Sequence, residues 1–158
     1  MTTIARNTAR ETRIRLACPA DAAAVCAIYA PYVRDTATTF DLEPPTVEEM
    51  EQKITTILEE RPFLVAEIER TDANTASTTS RVETCDDETF AVIGYSYASA
   101  FRPRKAYLHS IETSVYLAPE AKGHGLGTRL YGALEEILRL QNAVSYTHLR
   151  AHETGRNL

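Results

Sequence analysis

The chain has 158 residues, 44% of them hydrophobic, and a net charge of −5 from 17 basic and 22 acidic residues. That is enough for one buried core and one domain, whereas the acidic balance and the scattered Lys and Arg argue against a nucleic-acid binder, whose phosphate contacts need a clustered positive surface. No apolar run is long enough for a membrane span, and three cysteines, an odd number without metal-ligand spacing, point to a reducing, cytoplasmic setting rather than to a disulfide scaffold or a metal site.

Residues 1–12 are rich in Thr and Arg and lack the apolar core of a signal peptide, so they read as a disordered extension. Residues 13–17 alternate charged and apolar side chains as a half-buried strand does, and Pro19 ends the run. Asp21 is placed to cap the next helix, whose buried stripe is Val25, Ile28, Tyr29 and Tyr32 despite Pro31. Cys18 and Cys26 read as core residues and Cys85 as a loop thiol. An extended loop through Phe40 leads to Pro44 and Pro45. Thr46 and Glu49 then form a capping box for a second helix, with Met50, Ile54, Ile57 and Leu58 on its buried face.

Residues 63–67 and 89–99 read as strands joined by a long polar loop over 69–88, and Gly94 marks a bulge or a close backbone approach. A cationic loop, Phe101 to Tyr107, carries Arg102, Arg104 and Lys105. Such a cluster is either solvated surface or a seat for an anion, Arg being suited to carboxylate or phosphinate by its bidentate fork. The strand over 107–117 follows and places Glu112 at mid-strand, where a carboxylate is either a solvated sheet group or a base beside a ligand.

After that strand, Gly123, Gly125 and Gly127 alternate just before Leu126, Leu130, Ala133, Leu134 and Ile137, which have helical spacing. Glycines at a helix start let successive N–H groups turn toward an anion at the positive end of the helix dipole. The turn lacks the Gly-Lys-Ser/Thr ending of a P-loop and the Gly-x-Gly-x-x-Gly spacing of a dinucleotide fingerprint, so neither ATP nor NAD is favoured. A pyrophosphate of another kind fits.

Lys122, Gly125 and Gly127 resemble the Arg/Gln-x-x-Gly-x-Gly/Ala signature of the GNAT N-acetyltransferase superfamily, with Lys in the first place. A narrower resemblance covers roughly residues 13–143. Ile28-Tyr29, Tyr32-Val33, Thr39-Phe40, Pro44-Pro45-Thr46, Leu64-Val65-Ala66-Glu67, Gly94-Tyr95, Phe101-Arg102-Pro103-Arg104, Ala106-Tyr107 and the run Glu112 to Leu117 are similar, in that order, to the phosphinothricin and methionine sulfoximine N-acetyltransferase family. The resemblance implies an α/β (α+β) acyl-CoA N-acyltransferase fold with a mixed central sheet flanked by helices, acetyl-CoA as co-substrate without a metal, a small amino-acid-like acceptor, and a homodimer.

It also implies roles. Glu112 is the general base; the backbone of Val115, Tyr116 and Leu117 pairs with the pantetheine arm; Lys122, Gly123, His124, Gly125, Leu126, Gly127 and Thr128 hold the pyrophosphate; Phe40, Arg102, Arg104, Lys105, Ala106 and Tyr107 border the acceptor. The alternatives are a CoA-binding or dimerisation module without turnover, and an acetyltransferase acting on a protein amine. Residues 144–158 show neither strand alternation nor a helical stripe and resemble translated sequencing-adapter DNA. The expectation is therefore a domain over 13–143 that lacks its C-terminal strands, followed by a non-native tail, in a chain poorly soluble or inactive as written.

Overall fold

The computed structural model describes residues 11–36, 43–70, 89–100, 110–141 and 145–150. Among these residues the main elements run β1 (Thr12–Leu16), α1 (Ala22–Asp35), α2 (Val47–Leu58), β2 (Phe63–Glu69), β3 (Phe90–Ala100), β4 (Ser110–Leu117), α3 (Leu126–Leu140) and β5 (Ser145–Arg150). The strands make one sheet in chain order. Its first three pairs are antiparallel and β4–β5 is parallel. A parallel neighbour needs a crossover connection, which α3 supplies. The mixed sheet flanked by helices is the expected architecture.

The side-chain pattern predicts no element after α3, yet residues 145–150 form β5 opposite Ser110–Val115. An open strand edge offers a row of backbone donors and acceptors, and pairing with it does not depend on the alternation that the sequence reading looked for. At the other end β1 starts at Thr12, inside the stretch expected to be a disordered extension. The expected loop over 69–88 lies mostly outside the described residues.

Aromatic side chains fill the sheet face under α1 and α2. Phe63, Tyr95 and Tyr97 stack on one another, Tyr95 stacks on Tyr116, and Tyr29 and Tyr32 of α1 meet the Tyr116 ring edge-on at 5.1 and 5.2 Å. On the opposite face α3 buries Leu126, Leu130 and Leu134 of the expected stripe together with Leu138, which was not part of it, while Ala133 and Ile137 are half-buried against the core. Gly94 makes that approach possible. A Cβ there would stand 2.6 Å from Leu117 Cδ2, 3.2 Å from the Tyr116 carbonyl oxygen and 3.3 Å from Leu130 Cδ1. The β2–β3 register also slips beside it, from Ala66 opposite Gly94 to Glu67 opposite Val92, leaving Ile93 as the bulged residue.

Asp21 does not cap α1 with its side chain. Its buried carboxylate takes the Arg15 guanidinium at 2.8 Å through both oxygens and the Cys18 N–H at 2.8 Å. Arg15 also reaches Glu67 at 2.6 Å, and Arg13 binds the other Glu67 oxygen at 2.6 Å. Two buried carboxylates thus share one guanidinium, and Asp21 first, then Glu67, hold it protonated beyond its ordinary range against the opposing effect of burial. In contrast, the capping box of α2 forms as read, with Thr46 N–H on Glu49 Oε2 at 2.8 Å and Glu49 N–H on Thr46 Oγ1 at 3.2 Å.

Of the two cysteines expected in the core, Cys26 is a half-buried free thiol whose pKa is raised by burial. Cys18 is half-buried and disulfide-bonded, its partner lying outside the described residues. That bond departs from the thiol-only reading of the cysteines. An odd count leaves one pair possible, and spacing alone does not show which side chains the fold brings together.

Candidate active site

The end of β4 passes through a single 3-10 turn at Pro119–Ala121 into the glycine segment. Gly123 and Gly125 both take left-handed conformations, with φ of 82° and 74°. Gly125 is the N-cap of α3, so the first N–H groups of the helix have no acceptor within it. Space around both glycines is open, nothing lying within 4 Å of where a Cβ would be. Lys122, Gly123, His124, Gly125 and Thr128 are exposed, whereas Leu126 turns its side chain into the core. Gly127 already belongs to the helix and packs over Leu117, a Cβ there meeting Leu117 Cδ1 at 3.5 Å. Free N–H groups, a positive dipole end and open access are the features by which such a turn could hold an anion.

Glu112 lies five residues before Leu117 on the same strand, about 17 Å along it at the usual rise. It is half-buried, opposite Ser99 of β3 and Thr147 of β5. Strand alternation puts it on the face of Ser114 and Tyr116, the aromatic side of the sheet under α1. Among the described residues no ion pair engages it.

The three residues expected to offer backbone to an extended ligand are not equivalent. Val115 is drawn into register with Arg150 of β5, while Tyr116 and Leu117 lie beyond that register. Ala118 donates to the Ile93 carbonyl at 2.9 Å, which makes the directly opposed Ile93 and Ala118 a hydrogen-bonded pair. The adjacent pair, Gly94 and Leu117, is then the other kind, its N–H and C=O groups directed away from one another. Leu117 therefore turns both backbone groups to the outer edge of the sheet. The Tyr32 hydroxyl occupies them, donating to the Leu117 carbonyl at 2.7 Å and accepting from its N–H at 3.4 Å.

That contact was not legible in the sequence, where Tyr32 reads as one member of an apolar stripe. The available signal is chemical: a buried phenol needs a partner for its O–H. Phe40, Arg102, Arg104, Lys105, Ala106 and Tyr107 lie outside the described residues. Among the described residues no group of three or more His, Cys, Asp or Glu side chains is placed to hold a metal ion, and no helix is long and apolar enough to cross a membrane.

Residues 40–156 match the model of the acetyltransferase (GNAT) family. The chain is 33% identical over 132 residues to a phosphinothricin N-acetyltransferase of Streptomyces coelicolor, covering 84% of this chain and 68% of that one. It is 35% identical over 111 residues to one from Alcaligenes faecalis, covering 70% of this chain and 46% of the other. The chain thus spans between about half and two thirds of the length of these relatives. Among solved structures it resembles a GNAT superfamily phosphinothricin acetyltransferase from Sinorhizobium meliloti in complex with AcCoA, with a TM-score of 0.65 and 35% identity over 82% of this chain and 60% of that chain. The glycine turn, the sheet and these likenesses agree: the chain belongs to the GNAT acetyltransferase family.

Proposed function

We propose that the chain transfers an acetyl group from acetyl-CoA to the α-amine of a small amino-acid analogue of the phosphinothricin or methionine sulfoximine type. The observation that carries this reading is one continuous unit in which β4 holds a half-buried carboxylate, Glu112, and runs straight into an exposed helix start built on two left-handed glycines. The named activity of the relatives supports it. In this reading Lys122, Gly123, His124, Gly125, Leu126, Gly127 and Thr128 hold the pyrophosphate, chiefly through backbone N–H groups. Val115 to Leu117 accompany the pantetheine arm, with Leu117 giving the hydrogen bonds. Phe40, Arg102, Arg104, Lys105, Ala106 and Tyr107 border the acceptor and its anion.

The chemistry needs a base. An α-amine with a pKa of about 7.7 to 8.0 is mostly protonated near neutrality and has no lone pair with which to attack a thioester. Glu112, directly or through a water, takes that proton. The amine nitrogen then bonds to the acetyl carbonyl carbon, the carbon–sulfur bond breaks, and the CoA sulfur leaves with the electron pair and picks up a proton. Direct transfer requires no covalent enzyme intermediate, and hence no cysteine on β4 or the turn. A homodimer and a cytoplasmic location belong to the same reading and are supported by the family resemblance alone.

The test is thiol release from acetyl-CoA with phosphinothricin, methionine sulfoximine and methionine sulfone as acceptors, beside calorimetric titration with CoA. Release with at least one of them is expected. CoA binding without release from any acceptor would sink the acceptor class, and no CoA binding would sink the whole reading.

A further inference from the structure

Tyr32 touches both the strand edge and the glycine turn. Its hydroxyl satisfies the N–H and C=O of Leu117, the backbone groups that face outward just past the end of the β4–β5 register. Its ring receives the Lys122 ammonium from the glycine turn, 4.8 Å from the ring centre. The remaining ring contact on this side is the edge-on meeting with Tyr116. Two of the groups that hold Tyr32 in position are therefore groups that an acyl-CoA would engage.

The competition is chemical. A pyrophosphate at the start of α3 attracts the exposed Lys122 ammonium away from the ring, since an ion pair with phosphate outweighs a cation–π contact. The arm of CoA carries two secondary amides, each with one N–H and one C=O. An arm running from the turn toward Glu112 meets Leu117 as the first outward-facing residue, and an added strand would make there the donor and acceptor pair that the phenol now makes. A hydroxyl both donates and accepts, so it can mimic an amide at this position.

We propose that the Tyr32 hydroxyl is a placeholder for an amide of the acyl donor's arm, closing the Leu117 edge until the arm displaces it. The inference rests on the reading of the glycine turn as an acyl-CoA site. It differs from a structural role in the sign of its effect. A tyrosine that merely supports the strand strengthens ligand binding or leaves it unchanged, whereas a placeholder weakens it, because ligand entry must first break the phenol's bonds.

The test is the variant Tyr32→Phe, titrated by calorimetry with CoA and with ADP, which carries a pyrophosphate but no amide arm. CoA is expected to bind the variant roughly two- to tenfold more tightly, the size of one net hydrogen bond released from competition, with ADP unchanged. The free variant melts below the parent, and the gap closes on saturation with CoA. As a second measurement in a chain that keeps the hydroxyl, fluorotyrosine at position 32 shifts its fluorine resonance further with CoA than with ADP, which only draws Lys122 off the ring. Equal or weaker CoA binding by the variant, a melting gap that CoA leaves intact, or a resonance that CoA moves no further than ADP does overturns the placeholder while the acyl-CoA site stands. A parent chain that binds no CoA overturns the site itself, and the placeholder with it.

Discussion

At residue scale the chemistry turns on Glu112 and the packing on Gly94. Glu112→Gln keeps the size and hydrogen-bonding shape of the side chain and removes the proton acceptor. Acetyl transfer is expected to fall by roughly 10² to 10⁴, the usual contribution of a positioned base, while the calorimetric dissociation constant for CoA stays within about twofold, since a twofold change is only a few tenths of a kcal/mol. Gly94 has a different reason to be what it is. A methyl group there would press on Leu117, Leu130 and the Tyr116 carbonyl at once. Leu117 and Leu130 are buried and have little room to turn away. Gly94→Ala should therefore cost about 1–3 kcal/mol, as overpacking of a filled core does, read as a lower denaturation midpoint. The short separation from Leu117 predicts a second effect, weaker CoA binding, which the same titration would detect.

At the scale of elements, the turn into α3 is set by backbone conformation and not by crowding. Gly125 has φ of 74° in open space, so a larger residue clashes with nothing and is disfavoured only by the left-handed geometry, at about 1–2 kcal/mol and more for a β-branched side chain. Gly125→Val is expected to weaken CoA binding about tenfold or more, with Gly125→Asn in between because Asn tolerates this region best after glycine. An unchanged affinity in both variants would remove the pyrophosphate from this turn. The same local physics explains what the sequence showed clearly. A capping box, an apolar stripe and a glycine turn are each written within a few residues; the α2 box appears in the fold as read, and the α3 stripe does so with Leu138 added. Asp21 was misread although its own partners, Arg15 and Cys18, are close in sequence, because the cluster they belong to is closed by a remote residue. Arg15 ties it to Glu67, which stands 52 residues from Arg15 along the chain, and no short window shows that pairing. Tyr32 belongs to the same class, its hydroxyl meeting a carbonyl 85 residues away. The pairing of β5 was invisible for another reason, being made by backbone groups common to every residue.

For the molecule as a whole, the Arg15 cluster joins three parts that are otherwise separate in sequence: the edge strand β1, the buried strand β2 and the start of α1. Replacing both carboxylates and the guanidinium by apolar residues could be neutral, but removing the Arg15 cation alone takes the ion pair from the buried Asp21 and leaves the buried Glu67 with Arg13. Arg15→Gln is expected to destabilise the fold by about 3–5 kcal/mol, seen as loss of the cooperative transition or a large fall in its midpoint. The alkaline limit of stability follows from the sheet face. Burial, then the neighbouring tyrosines, raises the Tyr95 pKa well above its ordinary value. The folded form thus holds its proton more tightly than the unfolded form. This contribution is complete below the unfolded value, about 10, and is lost as pH rises from there through the folded value. A pH titration of tyrosinate absorbance should show Tyr95 ionising only together with unfolding.

The stacked rings of Phe63, Tyr95, Tyr97 and Tyr116, with Tyr29 and Tyr32 meeting Tyr116 edge-on, also decide how this protein can be watched. The sequence contains eight tyrosines and no tryptophan. Its near-ultraviolet dichroism and intrinsic emission therefore come from tyrosine, and the rings within about 5–6 Å of one another couple their transitions and transfer excitation along the stack. The chain carries its own optical probe, which runs from β2 across β3 to Tyr116 on the strand that leads from Glu112 to Leu117. Light absorbed at Tyr95 or Tyr97 reports on Tyr116, and a ligand that moves Tyr32 changes the signal without any added label.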